Sequence, residues 1–496
     1  SGKNIYSQGS IIDVDGSLGL VAEQDINLEA LLLNKAVKTG SGNNYSYRNW
    51  QDSQASNTTV GDQLFIQTGY SRPELTGGDP ASKTVLGGGD VNIIGSNLTV
   101  GKGTQAVIGG DMNVLSQATQ EESGYKRKSV SGLFGSTTKT SEGKTSKINQ
   151  VSSSVELGDH ANVSVEGEVL LAGSQLTGGD LDIKAKKGMY VMSMHDETIS
   201  SSESNTNKWF SSGGKNTSEY KRSVVGSELS ARGTLSVESD EGEVLVMGST
   251  ISGKNGLNVS ARDGISFIND LDIEEKTVET TKSGFFDINK GLFYEEKTTQ
   301  HDYDEYVVGS DVTSGKDMAL RTDGKVTKIG GSLSVAGDAT IDADSIEFAA
   351  ATAKKYSKTT TESKSFAGIS KDLDVSRLSA GVSVKNNINK TESVKSSVEL
   401  DSGINLIGGN LTLTAKETID IVGTDVIANG DVDTSAKALN IVSAEAVTDT
   451  LNKESDLTST LRLGVGNAWV DTAYSAVEAY DATQEAINDV SSSDGS

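Results

Sequence analysis

The sequence predicts an all-β chain: a right-handed parallel β-helix of coils 20–22 residues long, with β-hairpins projecting between coils and a short C-terminal helix. Three observations carry this expectation. The first is an internal repeat. Residues 166–188 read EGEVLLAGSQLTGGDLDIKAKKG, and residues 241–264 read EGEVLVMGSTISGKNGLNVSARDG. In the first copy Leu181, Ile183 and Ala185 alternate with Asp182 and Lys184, the two-residue period of a half-buried strand. The second is a shorter register inside that unit. Val163 and Ile183 are 20 apart, as are Val169 and Met189, while Val237 and Val259 are 22 apart and Val244 and Ile265 are 21 apart. A strand-turn unit returning to one register at this interval stacks on its neighbours and buries a face it could not bury alone. The third is a longer period of glycine marks at Gly16-Ser17, Gly95-Ser96, Gly173-Ser174, Gly248-Ser249, Gly330-Gly331 and Gly408-Gly409. They fall at intervals of 79, 78, 75, 82 and 78.

The elements follow in order. Residues 1–84 form N-terminal coils with an insertion: Ile12, Val14, Leu18, Leu20, Ile26 and Leu28 are inward candidates. Residues 35–83 break the pattern with Ser, Asn, Thr and Gly, together with Tyr45, Tyr47, Trp50, Phe65 and both prolines, and coils resume at Val85. Residues 85–449 form the main repeat. Within it, 88–95 (GGDVNIIG) and 109–116 (GGDMNVLS) are one coil apart. Four interruptions, near 118–152, 195–223, 270–306 and 353–396, are dense in Ser, Thr and Lys and alternate weakly, as in Ser129-Val130-Ser131. They read as long β-hairpins or loops projecting from the stack, with disorder as the competing reading. From 450 the apolar spacing changes to threes and fours through Trp469, Ala473, Ala476, Val477, Tyr480, Ile487 and Val490, the pattern of an amphipathic helix acting as a cap or linker over 450–496.

Composition narrows the function. The chain carries 44 Lys plus Arg against 69 Asp plus Glu, a net charge of −25, which argues against nucleic acid as a partner. No cysteine is present, which excludes disulfides and thiolate metal sites. The chain opens without a signal peptide, and its start and tail read as those of a piece excised from something larger. The Gly-Gly-Asp marks at 88–90, 109–111 and 178–180 lack the tandem nine-residue spacing of calcium-binding β-rolls and read as glycine corners. His160, His195 and His301 occur singly, and the acidic residues around His301 read as a solvated loop, so no metal ligand or catalytic base is assigned. Outward Asp182, Lys184, Arg262 and Asp420 follow no catalytic plan. The expectation is a non-enzyme without a cofactor.

The repeat resembles the haemagglutinin-repeat region of large two-partner-secreted exoproteins, the filamentous haemagglutinins and the CdiA-type contact-dependent growth-inhibition effectors of Gram-negative bacteria. The resemblance rests on GSQLTGGDLDIKA at 173–185, GGNLTLTAKETIDI at 408–421, and interruptions bearing SGLFGS at 131–136 and SGFF at 283–286. It spans about 85–450. It implies a secreted, cell-surface rod that carries a C-terminal toxin across the target cell's outer membrane. It also implies an outer-membrane two-partner-secretion transporter as partner. The alternative is an adhesin of the filamentous-haemagglutinin type, and the third reading is a polysaccharide-active β-helix enzyme. The candidate contacts for a membrane or partner are the apolar centres of the interruptions: Leu133, Phe134, Trp209, Phe210, Phe285, Phe286, Leu292 and Phe293.

Overall fold

The computed structural model describes residues 2–69, 88–132, 136–287, 291–372 and 381–460. Three parallel sheets of 12, 11 and 11 strands form the walls of a β-helix. The chain passes from the first wall to the second to the third and back, as in Ile5–Gln8, Ile11–Val14, Leu18–Val21 and then Ile26–Glu29. The registers expected from the 20–22 residue period are those observed: Val163 opposes Ile183, Val169 opposes Met189, Val237 opposes Val259 and Val244 opposes Ile265. One inward column of the third wall runs Val163, Ile183, Val237, Val259, Leu320, Ile341, Leu413, all buried. Each coil thus covers apolar side chains that the coil below leaves open, which is why the stack and not the single coil is the stable unit.

A ladder of hydrogen bonds runs up each corner. The aspartates of the Gly-Gly-Asp marks belong to two of them. Asp90 Oδ1 accepts the N–H of Asp111 at 2.9 Å, and Asp111 Oδ1 accepts the N–H of Glu168 at 2.8 Å. At the corner between the second and third walls Asp180 Oδ1 accepts the N–H of Thr234, and Asp338 Oδ1 that of Asn410. These carboxylates satisfy backbone donors that a turn would leave open. At the remaining corner, between the first and second walls, buried serines do this work. Ser56, Ser96, Ser153, Ser174, Ser227 and Ser249 follow one another, each hydroxyl accepting the N–H of the serine before it at 3.0–3.2 Å.

That serine corner is where every hairpin leaves the helix. Hairpin 1 has arms Leu31–Ser41 and Asn44–Gln54, and hairpin 2 has arms Gln117–Ser131 and Thr137–Val151. Hairpin 3 has arms Met194–Lys208 and Ser211–Val225, hairpin 4 Asp270–Asp287 and Gly291–Val308, and hairpin 5 Ala351–Asp372 and Gly381–Asp401. Each follows a first-wall strand and precedes a second-wall strand, on alternate coils. On the coils between, the corner is closed by glycine: Gly9, Gly95, Gly173, Gly248, Gly330 and Gly423, with φ from +52° to +64°. The root of the next hairpin lies directly over this glycine, so a Cβ on Gly95 would stand 2.4 Å from the Cβ of Gln117 and one on Gly248 2.8 Å from that of Asp270. Both the backbone conformation and the space exclude a side chain.

The structure corrects four sequence expectations. Gly16-Ser17 and Gly408-Gly409 lie one corner further on, between second- and third-wall strands; the positions equivalent to the other marks are Gly9-Ser10 and Gly423-Thr424. Residues 35–83 are not one interruption, because hairpin 1 ends at Gln54 and coil strands resume at Asn57–Val60 and Gln63–Thr68. Helical periodicity from 450 gives way to a strand, Val447–Thr460, paired antiparallel with Gly381–Asp401. The apolar positions from Trp469 onward lie outside the described residues. Lastly, the hairpins do not project one by one. They join edge to edge into a single antiparallel sheet of 11 strands, closed at one end by Val447–Thr460. The reason is dimensional. Strands hydrogen-bond at about 4.8 Å, so two coils rise about 9.6 Å, which is the width of a two-stranded hairpin. One hairpin every second coil therefore fills the axial rise without gap or overlap.

Candidate functional site: the outer rim of the antiparallel sheet

The arms are built from Ser, Thr, Lys and Glu, whose stability in a sheet comes from cross-strand pairs. Within hairpins Lys126 pairs with Glu142 at 2.9 Å and Lys297 with Glu279 at 2.8 Å. Between hairpins Arg48 makes a two-pronged contact with Glu121 at 2.8 and 3.0 Å, and Lys221 reaches Glu274 at 2.7 Å. Lys144 and Tyr47 donate to Glu122 and hold its carboxyl below the usual range. Tyrosine rings lie over cross-strand glycines: Tyr47 over Gly124, Tyr125 over Gly143 and Tyr294 over Gly284. Each ring covers backbone that glycine leaves bare.

The hairpin roots are clamped by a cluster that the linear sequence did not show. Asp270 Oδ2 accepts from Ser193 Oγ at 2.6 Å and lies 2.7 Å from His195 Nε2, while Arg222 Nη2 stands 3.5 Å from Oδ1. Burial pushes this carboxyl up, but the bonds from Ser193, from the N–H of Leu271 and from His195 outweigh it and hold it below the ordinary carboxylate range. Serine and imidazole bind the same carboxylate oxygen, so the serine is not bonded to the histidine that would have to activate it. The cluster fastens hairpin 3 to hairpin 4. Its members are up to 77 residues apart, and no local spacing announces them. His301 sits in an arm of hairpin 4 and not in a loop, 2.9 Å from Glu275 across the strands and edge-on to Tyr356. His160 lies 3.1 Å from Asp180. Among the described residues no three His, Cys, Asp or Glu converge as a metal site.

At the outer rim the structure brings together four of the eight apolar residues singled out above. Trp209 and Phe210 make the turn of hairpin 3. Hairpin 4 has arms of 18 residues against 15, so its Phe285 stands beside that turn, with its N–H 2.9 Å from the carbonyl of Phe210. The rings form a chain: Trp209 to Phe210 at 5.8 Å, Phe210 to Phe285 at 6.5 Å, and Phe285 to Phe293 at 4.8 Å edge-on. All four are exposed, Trp209 at 77% and Phe210 at 63%. They border an open depression of about 680 Å³ with Lys208, Tyr294 and Lys364. Leu133 and Phe134 fall outside the described residues, as do the side chains of Phe286 and Leu292. The four rings thus present an exposed apolar surface at the outer rim of a sheet built mostly of Ser, Thr, Lys and Glu.

Comparisons with known proteins bear on the fold. A family model described as hemagglutinin repeat matches residues 134–215, 208–289, 293–400 and 389–491. The first two matches each run from near one hairpin turn to near the next, about two coils with half a hairpin at either end. A hemolysin of Serratia marcescens is 22% identical over 409 residues, covering 79% of this chain and 24% of the relative. The tRNA nuclease CdiA-2 of Burkholderia pseudomallei (strain 1026b) is 25% identical over 433 residues, covering 83% of this chain and 12% of the relative. The chain therefore spans a quarter or less of these relatives' lengths. No solved structure matches. With repeat matches over most of its length, the chain belongs to the hemagglutinin-repeat family.

Proposed function

We propose that this chain is a length of the extracellular rod of a two-partner-secreted bacterial exoprotein, and that the rim of its antiparallel sheet contacts the target cell's outer membrane while a C-terminal toxin is delivered. An outer-membrane transporter exports the whole protein, and the rod acts at the cell surface and then at the target's outer membrane. The observation that carries this reading is the exposed, ring-to-ring aromatic chain Trp209–Phe210–Phe285–Phe293 at the far edge of a sheet built mostly of Ser, Thr, Lys and Glu. Exposed aromatics suit the interface between headgroups and acyl chains, where an apolar ring and a polar flank are both accommodated. The relative named as a tRNA nuclease supports carriage of a toxin, since this chain aligns with 12% of it.

The test replaces Trp209, Phe210, Phe285 and Phe293 with Ser together. Co-sedimentation with target outer membranes should fall, and so should killing by the full-length protein, while the melting temperature stays within a few degrees. Retained binding and killing would remove the rim from the function. Lost binding to cells with no killing in the unaltered protein would favour the adhesin.

A further inference from the structure

The outer half of the antiparallel sheet has two unlike faces. Residues directly opposite across a ladder share a face, and residues two apart on a strand do too. Arg127 opposes Ser141, Ser141 opposes Ser204, and Ser204 opposes Lys215. Two residues outward, Lys139 opposes Thr206, Thr206 opposes Gly213, and Gly213 opposes Lys282. Lys208 lies two residues beyond Thr206 on the same side. Five cations from five consecutive strands thus share one face. The residues between them are Ser, Thr and Gly, and no carboxylate joins them on those strands. The patch measures roughly 19 Å by 13 Å from strand spacing and rise. Arg127, Lys139, Lys208 and Lys215 have no ion-pair partner among the described residues, while Lys282 at the border stands 3.9 Å from Glu296. The opposite face is different: there Glu142, Glu203 and Glu279 lie in one cross-strand row with Lys126.

We propose that this basic face is a docking surface for an anionic, phosphate-bearing lipid surface, and that it sets which side of the sheet meets the membrane. The inference rests on the rim reading above and adds the partner's charge and the sheet's orientation. Charge complementarity argues for this occupant. A flat lattice of cations and hydroxyl donors matches a flat array of headgroup phosphates, and the patch adjoins the aromatic turn at Lys208-Trp209-Phe210. The chain as a whole is at −25, so an anionic surface repels the rod while it attracts this face. The rings enter at the rim and the lysines fix the side.

The full chain is sedimented with vesicles of phosphatidylcholine alone and with vesicles of equal phosphatidylcholine and phosphatidylglycerol. The mixed vesicles should bind it far better, and the difference should vanish at high salt. The variant Lys139→Gln, Lys208→Gln, Lys215→Gln should lose on the order of a hundredfold in partition to the mixed vesicles, at roughly fivefold per charge. A control that removes the same charge from the coils, Lys102→Gln, Lys184→Gln, Lys186→Gln, should keep the wild-type partition. Equal binding of the native chain to both vesicles overturns the inference. So does an equal loss in the control, which would reduce the effect to net charge. The two readings fail separately: binding without lipid preference that is lost in Trp209→Ser, Phe210→Ser leaves the rim contact standing and the basic face idle.

Discussion

Lys328 sits where the inward column of the first wall has phenylalanine on the neighbouring coils, opposite Phe267 on one side and Phe348 on the other. It is 2% exposed, and its ammonium donates to the carbonyl of Gly331 at 2.9 Å, with no carboxylate in contact among the described residues. Burial drives its pKa down to about 8, with Asp401 and Asp311 only partly opposing. The unfolded chain holds that proton to about pH 10.4. Between those limits the unfolded state binds more protons, so stability rises as pH climbs from about 8 to about 10.4, and below that window the cost of burying the charge is complete. Lys328→Met should raise the melting temperature at pH 7, by the equivalent of about 1–3 kcal/mol, and flatten this rise; a scan of melting temperature against pH on both proteins reads it. The third wall offers a contrast between neighbours. Ile183 is fully buried, whereas Lys184 is exposed, 3.2 Å from Glu238 and 3.1 Å from Asp240. Ile183→Asp should cost on the order of 4 kcal/mol, and Lys184→Asp about 1 kcal/mol or less. Similar melting shifts for the two would mean the facing is wrong. This facing was legible in the sequence, because inward residues of a stacked coil repeat as apolar at one register. Lys328 was not, since a lysine among Val326, Thr327 and Ile329 reads as an outward residue.

At the scale of elements, the coils were more legible than the hairpins. The coil period is written in apolar residues, and the observed registers are those of the period. The hairpins carry no apolar stripe, and what orders them is not in any one of them. Each arm finds its partner through the corner from which it leaves and the equality of two coil rises with one hairpin width. The joints lie between segments about two coils and a hairpin apart, so no local pattern encodes them. Hairpin 1 does not separate from the coil after it in the sequence, because Asn57–Val60 and Gln63–Thr68 carry Thr58 and Thr68 inward and Phe65 outward. The rim residues were recognisable as apolar centres; their meeting depends on the longer arms of hairpin 4. This arrangement makes each hairpin a neighbour's support. Excising residues 195–224 should leave the coils folded but open a gap two strands wide, so that hairpins 2 and 4 become sensitive to protease at low concentration while the walls resist. Limited proteolysis followed by peptide mapping checks it, and unchanged resistance of hairpins 2 and 4 would mean they stand alone.

At the scale of the molecule, the first wall's 12 strands stack to about 53 Å and the 11 strands of the hairpin sheet to about 48 Å, so the two run side by side for the same length. Hairpin arms of 11 to 22 residues reach roughly 35–70 Å from the rod. The molecule is a rod with a wing, with the apolar core in the rod and the exposed aromatics at the wing's edge. The wing is one sheet, and the absence of cysteine allows a direct test of this by introduced pairs. Thr140 opposes Asn205 and Ser141 opposes Ser204 across the joint between hairpins 2 and 3. Consecutive antiparallel pairs alternate between wide and close, so one of these two is close enough for a disulfide. Oxidation of Thr140→Cys/Asn205→Cys and of Ser141→Cys/Ser204→Cys should cross-link at least one pair rapidly and almost completely, while the slipped pair Thr140→Cys/Ser204→Cys, on opposite faces, should not. Absence of cross-linking in both register pairs, with the rod still folded by its melting curve, would contradict a continuous sheet and return the hairpins to independent projections.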